Sequence, residues 1–123
     1  MEGNMMYAVG VDIGGSHISS VLKNSLAEVD VDNQASANEI LDKWAAAISE
    51  SIFSIDRTQL IGIGLAVPGP FDYKNGVALL KNVAKYDSLY GINVGDELKK
   101  RLDFPADFPF RYSNDALSFA IGE

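Results

Sequence analysis

Two short segments carry the residues best suited to chemistry. Residues 9–16 read Val-Gly-Val-Asp-Ile-Gly-Gly-Ser, so the Asp12 carboxylate lies just before two glycines. Glycines leave backbone amides uncovered, and uncovered amides beside a carboxylate suit a phosphate group or a metal ion. Residues 113–116 read Ser-Asn-Asp-Ala and place the Asp115 carboxylate at a predicted strand-to-helix junction. Together with a Pro-Gly-Pro turn at residues 68–70, these segments indicate phosphoryl transfer to a small polar substrate.

Each of these segments also has a purely structural interpretation. Asp12 can end a surface strand, and the two glycines after it can form an ordinary hairpin turn. Asn114 and Asp115 can cap a helix, since Ser, Asn and Asp are the favoured residues at that position. The Pro-Gly-Pro turn can simply terminate a strand, because proline cannot donate to a strand ladder. Only the joint occurrence of the three segments favours a functional site.

The composition is that of an acidic globular protein. The chain has 123 residues, of which 47% are hydrophobic and 22% charged, and its net charge is −7. The acidic balance argues against a nucleic-acid-binding surface, which needs a basic footprint. No apolar run is long enough to span a membrane, and the lack of cysteine excludes disulfides and thiolate metal sites within this chain. Residues 1–6 do not resemble a secretory signal, so we expect a cytoplasmic protein.

Alternating hydrophobic residues predict the strands that position the two segments. A strand over residues 7–13 directs Asp12 to the face with the smallest side chains, where a ligand can come close. Residues 17–23 and 26–31 predict two more strands joined by a hairpin turn. An Asn-Gly turn joins short strands at residues 71–73 and 77–80, and residues 110–112 predict a last strand. A further strand over residues 60–67 is expected to separate two faces, one with Ile61, Ile63, Leu65 and Val67 and the other with Gly62, Gly64 and Ala66.

Three helices are predicted around these strands. Ser36 and Glu39 form a capping box, in which each side chain binds the other residue's free backbone amide. The amphipathic helix after this box has about five turns and runs to Ile55. A second helix over residues 94–102 has a basic, solvated end at residues 99–101, and a third covers residues 114–123. This order predicts one α/β domain, residues 1–123, with a mixed β-sheet and flanking helices.

The motifs resemble those in the N-terminal half of a ROK-type sugar kinase. The shared features are Asp-Ile-Gly-Gly-Ser after a strand, the Pro-Gly-Pro turn, and Asn-Asp-Ala before a helix that ends Ile-Gly-Glu. The resemblance covers residues 7–123 and implies one lobe of a ribonuclease-H-like (actin-like ATPase) fold. It also implies that the second lobe is absent from this chain, together with its phosphate motif, adenine pocket and, in many members, structural zinc. One lobe alone is therefore expected to be inactive.

The resemblance implies how the nucleotide would bind. Gly14, Gly15 and Ser16 match the loop that binds an ATP phosphate, with Ser16 where the family more often has Thr. Asp12 matches the acidic residue that holds Mg²⁺, commonly through water, which suits a hard cation that prefers oxygen ligands. ATP and Mg²⁺ are thus the expected cofactors.

The resemblance also implies a substrate site. Asp115 matches the catalytic base, which accepts the proton of the substrate hydroxyl as its oxygen attacks the phosphate. Asp115 and Asn114 both match sugar-contacting positions, as do Gly69 and Asn82. An amide such as that of Asn114 can donate to one hydroxyl and accept from another.

The resemblance leaves more than one function open. The first is an ATP-dependent kinase that phosphorylates a hexose-type sugar, and the second is a ROK-type sugar-responsive regulator that lacks its own DNA-binding domain. Regulators of the family usually carry a helix-turn-helix before the first strand, where this chain has only residues 1–6, so the sequence favours the kinase. The Asn114-Asp115 pair argues against a nonenzymatic actin-like subunit. The expected partners are a sugar and, because family kinases are often dimers, a second copy of the chain, with neither nucleic acid nor membrane.

Overall fold

A computed structural model describes residues 6–22 and 25–115 of the chain. Its strands, in chain order, are β1 (Tyr7–Ile13), β2 (His17–Leu22), β3 (Ser25–Asp30), β4 (Leu60–Ala66), β5 (Phe71–Asp72), β6 (Val77–Ala78) and β7 (Phe110–Ser113). The helices are α1 (Ala37–Ser51) and α2 (Val94–Leu102), with short 3-10 turns at Arg57–Gln59 and Asp87–Leu89.

Five of the strands form one mixed sheet in the order β3-β2-β1-β4-β7. The pairs β1–β2 and β2–β3 are antiparallel, whereas β1–β4 and β4–β7 are parallel. The predicted α/β domain with a mixed sheet is therefore confirmed. Because β1, β4 and β7 run in the same direction, their carboxyl ends lie at one edge of the sheet, which is where open α/β sheets bind ligands.

The core lies between the sheet and its two helices. Helix α1 packs on β1, β2 and β3 and also contacts α2. Trp44 and Ile48 on α1 are fully buried, as are Ile18 on β2 and Leu65 on β4. Asp12 faces the opposite side of the sheet and is exposed. The hydrophobic face of α1 thus anchors the strands whose ends carry the candidate residues.

The beginning of β4 differs from the prediction. Tyr7 pairs with Leu60, but Ala8 pairs with Gly62, so Ile61 is an extra residue in this parallel pair. Its side chain is 51% exposed, and the prediction that Ile61 shares a face with Ile63 and Leu65 is wrong. A single inserted residue changes which side chains face the core before the irregularity, whereas the alternation of core-facing and outward-facing side chains after it is unchanged.

Helix α1 is shorter than its hydrophobic pattern suggested. It ends at Ser51 rather than near Ile55. At its start the Ser36 side chain accepts a hydrogen bond from the Glu39 amide at 3.2 Å, which is one half of the predicted capping box. The complete reciprocal box occurs instead at Asp56 and Gln59, before the first 3-10 turn.

The sequence predicted that the basic end of α2 is solvated, but two of its side chains contact other parts of the protein. Arg101 is partly buried and donates to Asp42 at 2.8 Å and to Glu97 at 2.9 Å. Lys99 donates to the Ala106 carbonyl at 2.8 Å. These contacts connect α2 to α1 and to the loop before β7.

Three predictions concern the remaining elements. The hairpin at residues 71–80 is confirmed, although its strands β5 and β6 have only two residues each. Helix α2 has the predicted bounds. The third predicted helix lies outside the described residues except for Asn114 and Asp115. Within the described part of the chain, no helix is long and apolar enough to cross a membrane.

Candidate functional site

The candidate residues Asp12, Gly69 and Asp115 follow or end neighbouring parallel strands. Asp12 on β1 is in register with Ala66 on β4, and Ala66 is in register with Ser113 on β7. Neighbouring strands are separated by roughly 4.8 Å, so the ends of β1 and β7 are about 10 Å apart. The structure therefore brings the three sequence motifs to one edge, where Asp12, Gly69 and Asp115 are all exposed.

The turn after β1 consists of Gly14, Gly15 and Ser16 and is called the glycine turn below. Two side chains from other segments donate hydrogen bonds to its carbonyl oxygens. The Tyr86 hydroxyl donates to the Gly14 carbonyl at 2.6 Å, and the Asn33 side chain donates to the Gly15 carbonyl at 2.5 Å. The peptide bonds of this turn are trans, so each carbonyl points away from the N–H that follows it. The N–H groups of Gly15 and Ser16 therefore point away from Tyr86 and Asn33. Both Gly15 and Ser16 are exposed. Adjacent exposed amides in a turn can bind an anion.

The two glycines of this turn have different surroundings. A Cβ on Gly14 would lie 3.0 Å from Cε1 of His17, so the imidazole covers this residue. Nothing lies within 4 Å of the position that a Cβ on Gly15 would take. Gly14 thus gives room to His17, which is exposed at the start of β2, and Gly15 leaves open space for a ligand.

The turn after β4 is in contact with the β5–β6 hairpin. The Tyr73 hydroxyl donates to the Val67 carbonyl at 2.8 Å and lies 3.3 Å from the position of a Cβ on Gly69. The bond between Gly69 and Pro70 is cis. Gly69 is exposed and lies three residues after the end of β4, the strand between β1 and β7.

The end of β7 is tied to β4. The Val67 amide donates to the Ser113 carbonyl at 2.8 Å, and the Ser113 hydroxyl accepts from the Asp115 amide at 3.0 Å. Asn114 and Asp115 are both exposed. Asp115 thus follows β7, the strand that borders β4 on the side away from β1 and the glycine turn.

Asn82 lies in a different segment from the strand ends. It has a left-handed backbone with φ of 62°, and its backbone N–H donates to the Asp87 carboxylate at 3.1 Å. Ala84 and Tyr86 in the same segment also have positive φ, at 65° and 58°. Positive φ is uncommon for residues other than glycine. Through Tyr86, this segment contacts the glycine turn.

Asp12 is compatible with a metal held mostly by water. Within the described residues, no three His, Cys, Asp or Glu side chains are grouped so that they could hold a metal ion. The Asp12 carboxylate is exposed next to the glycine turn. Mg²⁺ keeps several water ligands and often takes only one or two carboxylates together with substrate phosphates, so Asp12 fits this ion.

Sequence reasoning missed Tyr86 and Asn33. Tyr86 lies 72 residues from Gly14, whose carbonyl it binds, and its local sequence has no motif that indicates this contact. Asn33 lies 18 residues from Gly15, in a stretch of polar residues typical of a loop. Neither contact follows from local sequence patterns, because both depend on how distant segments pack.

Comparison with protein families decides the lineage. The model described as "ROK family" matches residues 8–123. The chain belongs to the ROK family. This result confirms the resemblance, and residues 8–123 include every candidate residue named above.

Solved ROK structures have the same fold. A ROK glucokinase from Streptomyces griseus, solved with glucose and AMPPNP, gives a TM-score of 0.69 at 24% identity over 95% of this chain and 36% of that chain. A ROK hexokinase from Thermus thermophilus gives 0.67 at 20% identity, over 88% of this chain and 35% of that one. A ROK transcriptional regulator, a homolog of the E. coli MLC protein, gives 0.69 at 15% identity, over 94% and 29%. These likenesses show the fold, and the predicted actin-like ATPase lobe is confirmed.

One curated relative also matches. It is named "Putative xylose repressor", comes from Caldicellulosiruptor sp. (strain Rt8B.4), and is 26% identical over 128 residues, which covers 98% of this chain. The chain spans 30% of the length of that protein and about a third of the solved structures above. Members of the ROK family among these matches thus include both kinases and regulators.

Proposed function

We propose that this chain is one lobe of an ATP-dependent kinase that transfers a phosphoryl group to a hydroxyl of a hexose-type sugar. The observation that carries the proposal is the in-register row of Asp12, Ala66 and Ser113. This row supports the proposal because the exposed glycine turn follows β1 and the Asp115 carboxylate follows β7, two strands about 10 Å apart. Phosphoryl transfer uses groups that hold the phosphates and a separate residue that receives the hydroxyl proton, with the attacking and leaving oxygens roughly in line.

The roles of the residues follow from their places at this edge. The amides of Gly15 and Ser16 bind a phosphate oxygen, and Asp12 binds the water shell of Mg²⁺. Asp115 accepts the proton of the sugar hydroxyl, while Asn114 orients neighbouring hydroxyls. ATP supplies the phosphoryl group, and the rest of the nucleotide is held by a second lobe outside this chain. Preorganised positioning and charge stabilisation supply most of the catalysis in phosphoryl transfer.

Gly69 and Asn82 complete the proposed sugar site. The exposed Gly69 lets a sugar ring lie against the backbone of the turn after β4, where a side chain would be in the way. Asn82 is exposed on the segment that contacts the glycine turn, and its side-chain amide is suited to hydroxyl groups. A protein that uses ATP and a sugar in this way is expected to act in the cytoplasm.

A sugar-responsive regulator is the second candidate function. It is supported by the match to a repressor and by the superposition on a ROK transcriptional regulator. Such a protein would use the same sugar-binding residues, Gly69, Asn82 and Asn114, but would not need Asp115 as a base. The two candidates therefore differ in phosphoryl transfer rather than in sugar binding.

The test is an assay of the longer protein that contains this chain. ADP release is measured with ATP, Mg²⁺ and a panel of hexoses, and sugar binding is measured in parallel by calorimetry. A kinase releases ADP only when its sugar is present. Sugar binding without sugar-dependent ADP release would contradict the kinase and support the regulator.

A further inference from the structure

Three hydrogen bonds connect the glycine turn to two other segments in a closed ring. The Tyr86 hydroxyl donates to the Gly14 carbonyl at 2.6 Å, and the Tyr86 amide donates to the Asn33 carbonyl at 2.8 Å. The Asn33 side chain then donates to the Gly15 carbonyl at 2.5 Å. Tyr86 and Asn33 thus hold two successive carbonyls of the turn and also hold each other.

Tyr86 connects this ring to the core. Its side chain is fully buried, and its ring packs edge-on against Trp44 of α1 with centroids 5.4 Å apart. Burial raises the pKa of Tyr86 to about 12. Because the ordinary tyrosine pKa of about 10 already lies well above neutral pH, the hydroxyl is protonated there and remains a donor. The hydroxyl that binds the Gly14 carbonyl therefore belongs to a ring that packs against α1.

Asn33 is itself oriented by a neighbour. The Gln34 side-chain amide donates to Oδ1 of Asn33 at 2.9 Å and to the Ala84 carbonyl at 2.5 Å. Because Oδ1 of Asn33 accepts from Gln34, its Nδ2 faces the Gly15 carbonyl. The same side chain of Gln34 thus connects Asn33 to the segment that contains Tyr86.

We infer that Tyr86 and Asn33 are positioning residues, which orient the amides of Gly15 and Ser16 toward a phosphate anion. Neither side chain contacts the anion, since both bind the carbonyl sides of the peptide planes whose N–H groups point the other way. The identity of the ligand rests on the proposed function, whereas the effect on the turn belongs to this chain alone. Glycine peptide units rotate easily, so loss of these contacts lowers affinity by releasing the preorganised amides.

Tyr86→Phe in the 123-residue chain tests this inference. The substitution keeps the ring that packs on Trp44 and removes only the hydroxyl. The first measurement is the ¹⁵N order parameter of the Gly15 and Ser16 amides, which we expect to fall from the value of rigid backbone, about 0.85, toward the flexible range below about 0.6. The second is the affinity for magnesium tripolyphosphate, a phosphate chain without adenine, which we expect to weaken about tenfold.

Tyr73→Phe is the matched control. It also removes a hydroxyl that donates to a backbone carbonyl, that of Val67 at 2.8 Å, but on the other side of the site. We expect it to leave the order parameters of Gly15 and Ser16 unchanged and the tripolyphosphate affinity within twofold. Asn33→Ala provides a second variant with the same expected effects as Tyr86→Phe.

The two measurements separate the inference from the proposed function. Unchanged Gly15 and Ser16 amides in both Tyr86→Phe and Asn33→Ala would overturn the inference, as would an equal effect of Tyr73→Phe. An unsubstituted chain that does not bind tripolyphosphate would contradict the phosphate site of the proposed function. In that case the order parameters still decide whether Tyr86 and Asn33 position the turn.

Discussion

The hydroxyl of Tyr112 occupies the space that a Cβ atom on Gly95 would need. An ideal Cβ at residue 95 would lie only 1.8 Å from the hydroxyl oxygen and 3.1 Å from Cζ. Gly76 is similarly constrained, since its Cβ would lie 2.5 Å from Cζ of Tyr112. Tyr112 directly precedes Ser113 at the end of β7. Two glycines from α2 and the hairpin thus make room for the residue that leads into the Asn114-Asp115 motif.

Gly95→Ala is expected to destabilise the chain. Alanine favours a helix interior by about 1 kcal/mol over glycine, but forcing a methyl group into a filled space costs about 1–3 kcal/mol. With a packing cost of about 2 kcal/mol, the middle of that range, we expect a net loss of about 1 kcal/mol in the free energy of unfolding, measured by urea denaturation. Helix propensity alone would predict the opposite change, an increase in the free energy of unfolding.

Two variants control this prediction. Nothing lies within 4 Å of a Cβ placed on Gly10, so Gly10→Ala should have little effect. Tyr112→Phe combined with Gly95→Ala removes the oxygen at 1.8 Å and should recover part of the lost stability. If Gly95→Ala were as stable as the unsubstituted chain, the close approach of Tyr112 would not constrain α2.

Asp115→Asn tests the proposed catalytic base in a longer protein that contains this chain. The amide keeps the shape of the side chain but cannot accept the hydroxyl proton, so kcat should fall by about 10²–10⁴-fold, with a much smaller change in sugar affinity. Asp107→Asn, at an exposed residue of the loop before β7, is the control. A kcat within a few-fold of the unsubstituted protein would reduce Asp115 to a structural residue.

Asp12→Asn tests the proposed metal site. The substitution removes one negative charge beside the glycine turn, so the Mg²⁺ concentration needed for half-maximal activity should rise several-fold, because hard cations prefer carboxylate oxygens. Sugar affinity should change little, since Asp12 is two strands away from Asp115. Asp30→Asn, at the exposed end of β3, is the control. An unchanged Mg²⁺ dependence would remove Asp12 from the metal site.

Glu97 gives a prediction for pH. Hydrogen bonds from Arg101 and then Lys100 hold the pKa of Glu97 below its ordinary value of 4.5. The folded chain therefore binds fewer protons here than the unfolded chain does. The stability from this group is fully present above pH 4.5 and is lost as the pH falls through the lowered pKa.

Glu97→Gln should therefore flatten the dependence of stability on pH. The decrease in the free energy of unfolding between about pH 7 and about pH 3 should be smaller than in the unsubstituted chain. Glu50→Gln, at an exposed glutamate of α1, is the control and should keep the original decrease. Equal decreases in the Glu97 variant and the unsubstituted chain would show that the contact with Arg101 has no effect on stability.

The sequence alone determined the elements whose pattern is local. Alternation defined β1 over Tyr7–Ile13, and helical spacing defined α2 over Val94–Leu102, both with the observed bounds. The motifs also identified the family that the comparisons confirmed over residues 8–123. These features could be predicted because strand and helix periodicity, and the turns between them, depend on residues only a few positions apart.

The tertiary structure alone decided how distant segments meet. Ile61 is exposed because of one irregularity in the pairing of β4 with β1, and the hydrophobic pattern of β4 does not reveal that irregularity. Arg101 is partly buried and forms an ion pair with Asp42 on another helix. Tyr86 binds the Gly14 carbonyl across 72 residues. Each of these contacts depends on the packing of separate elements, so the orientation of the glycine turn, on which the candidate phosphate site depends, could come only from the fold.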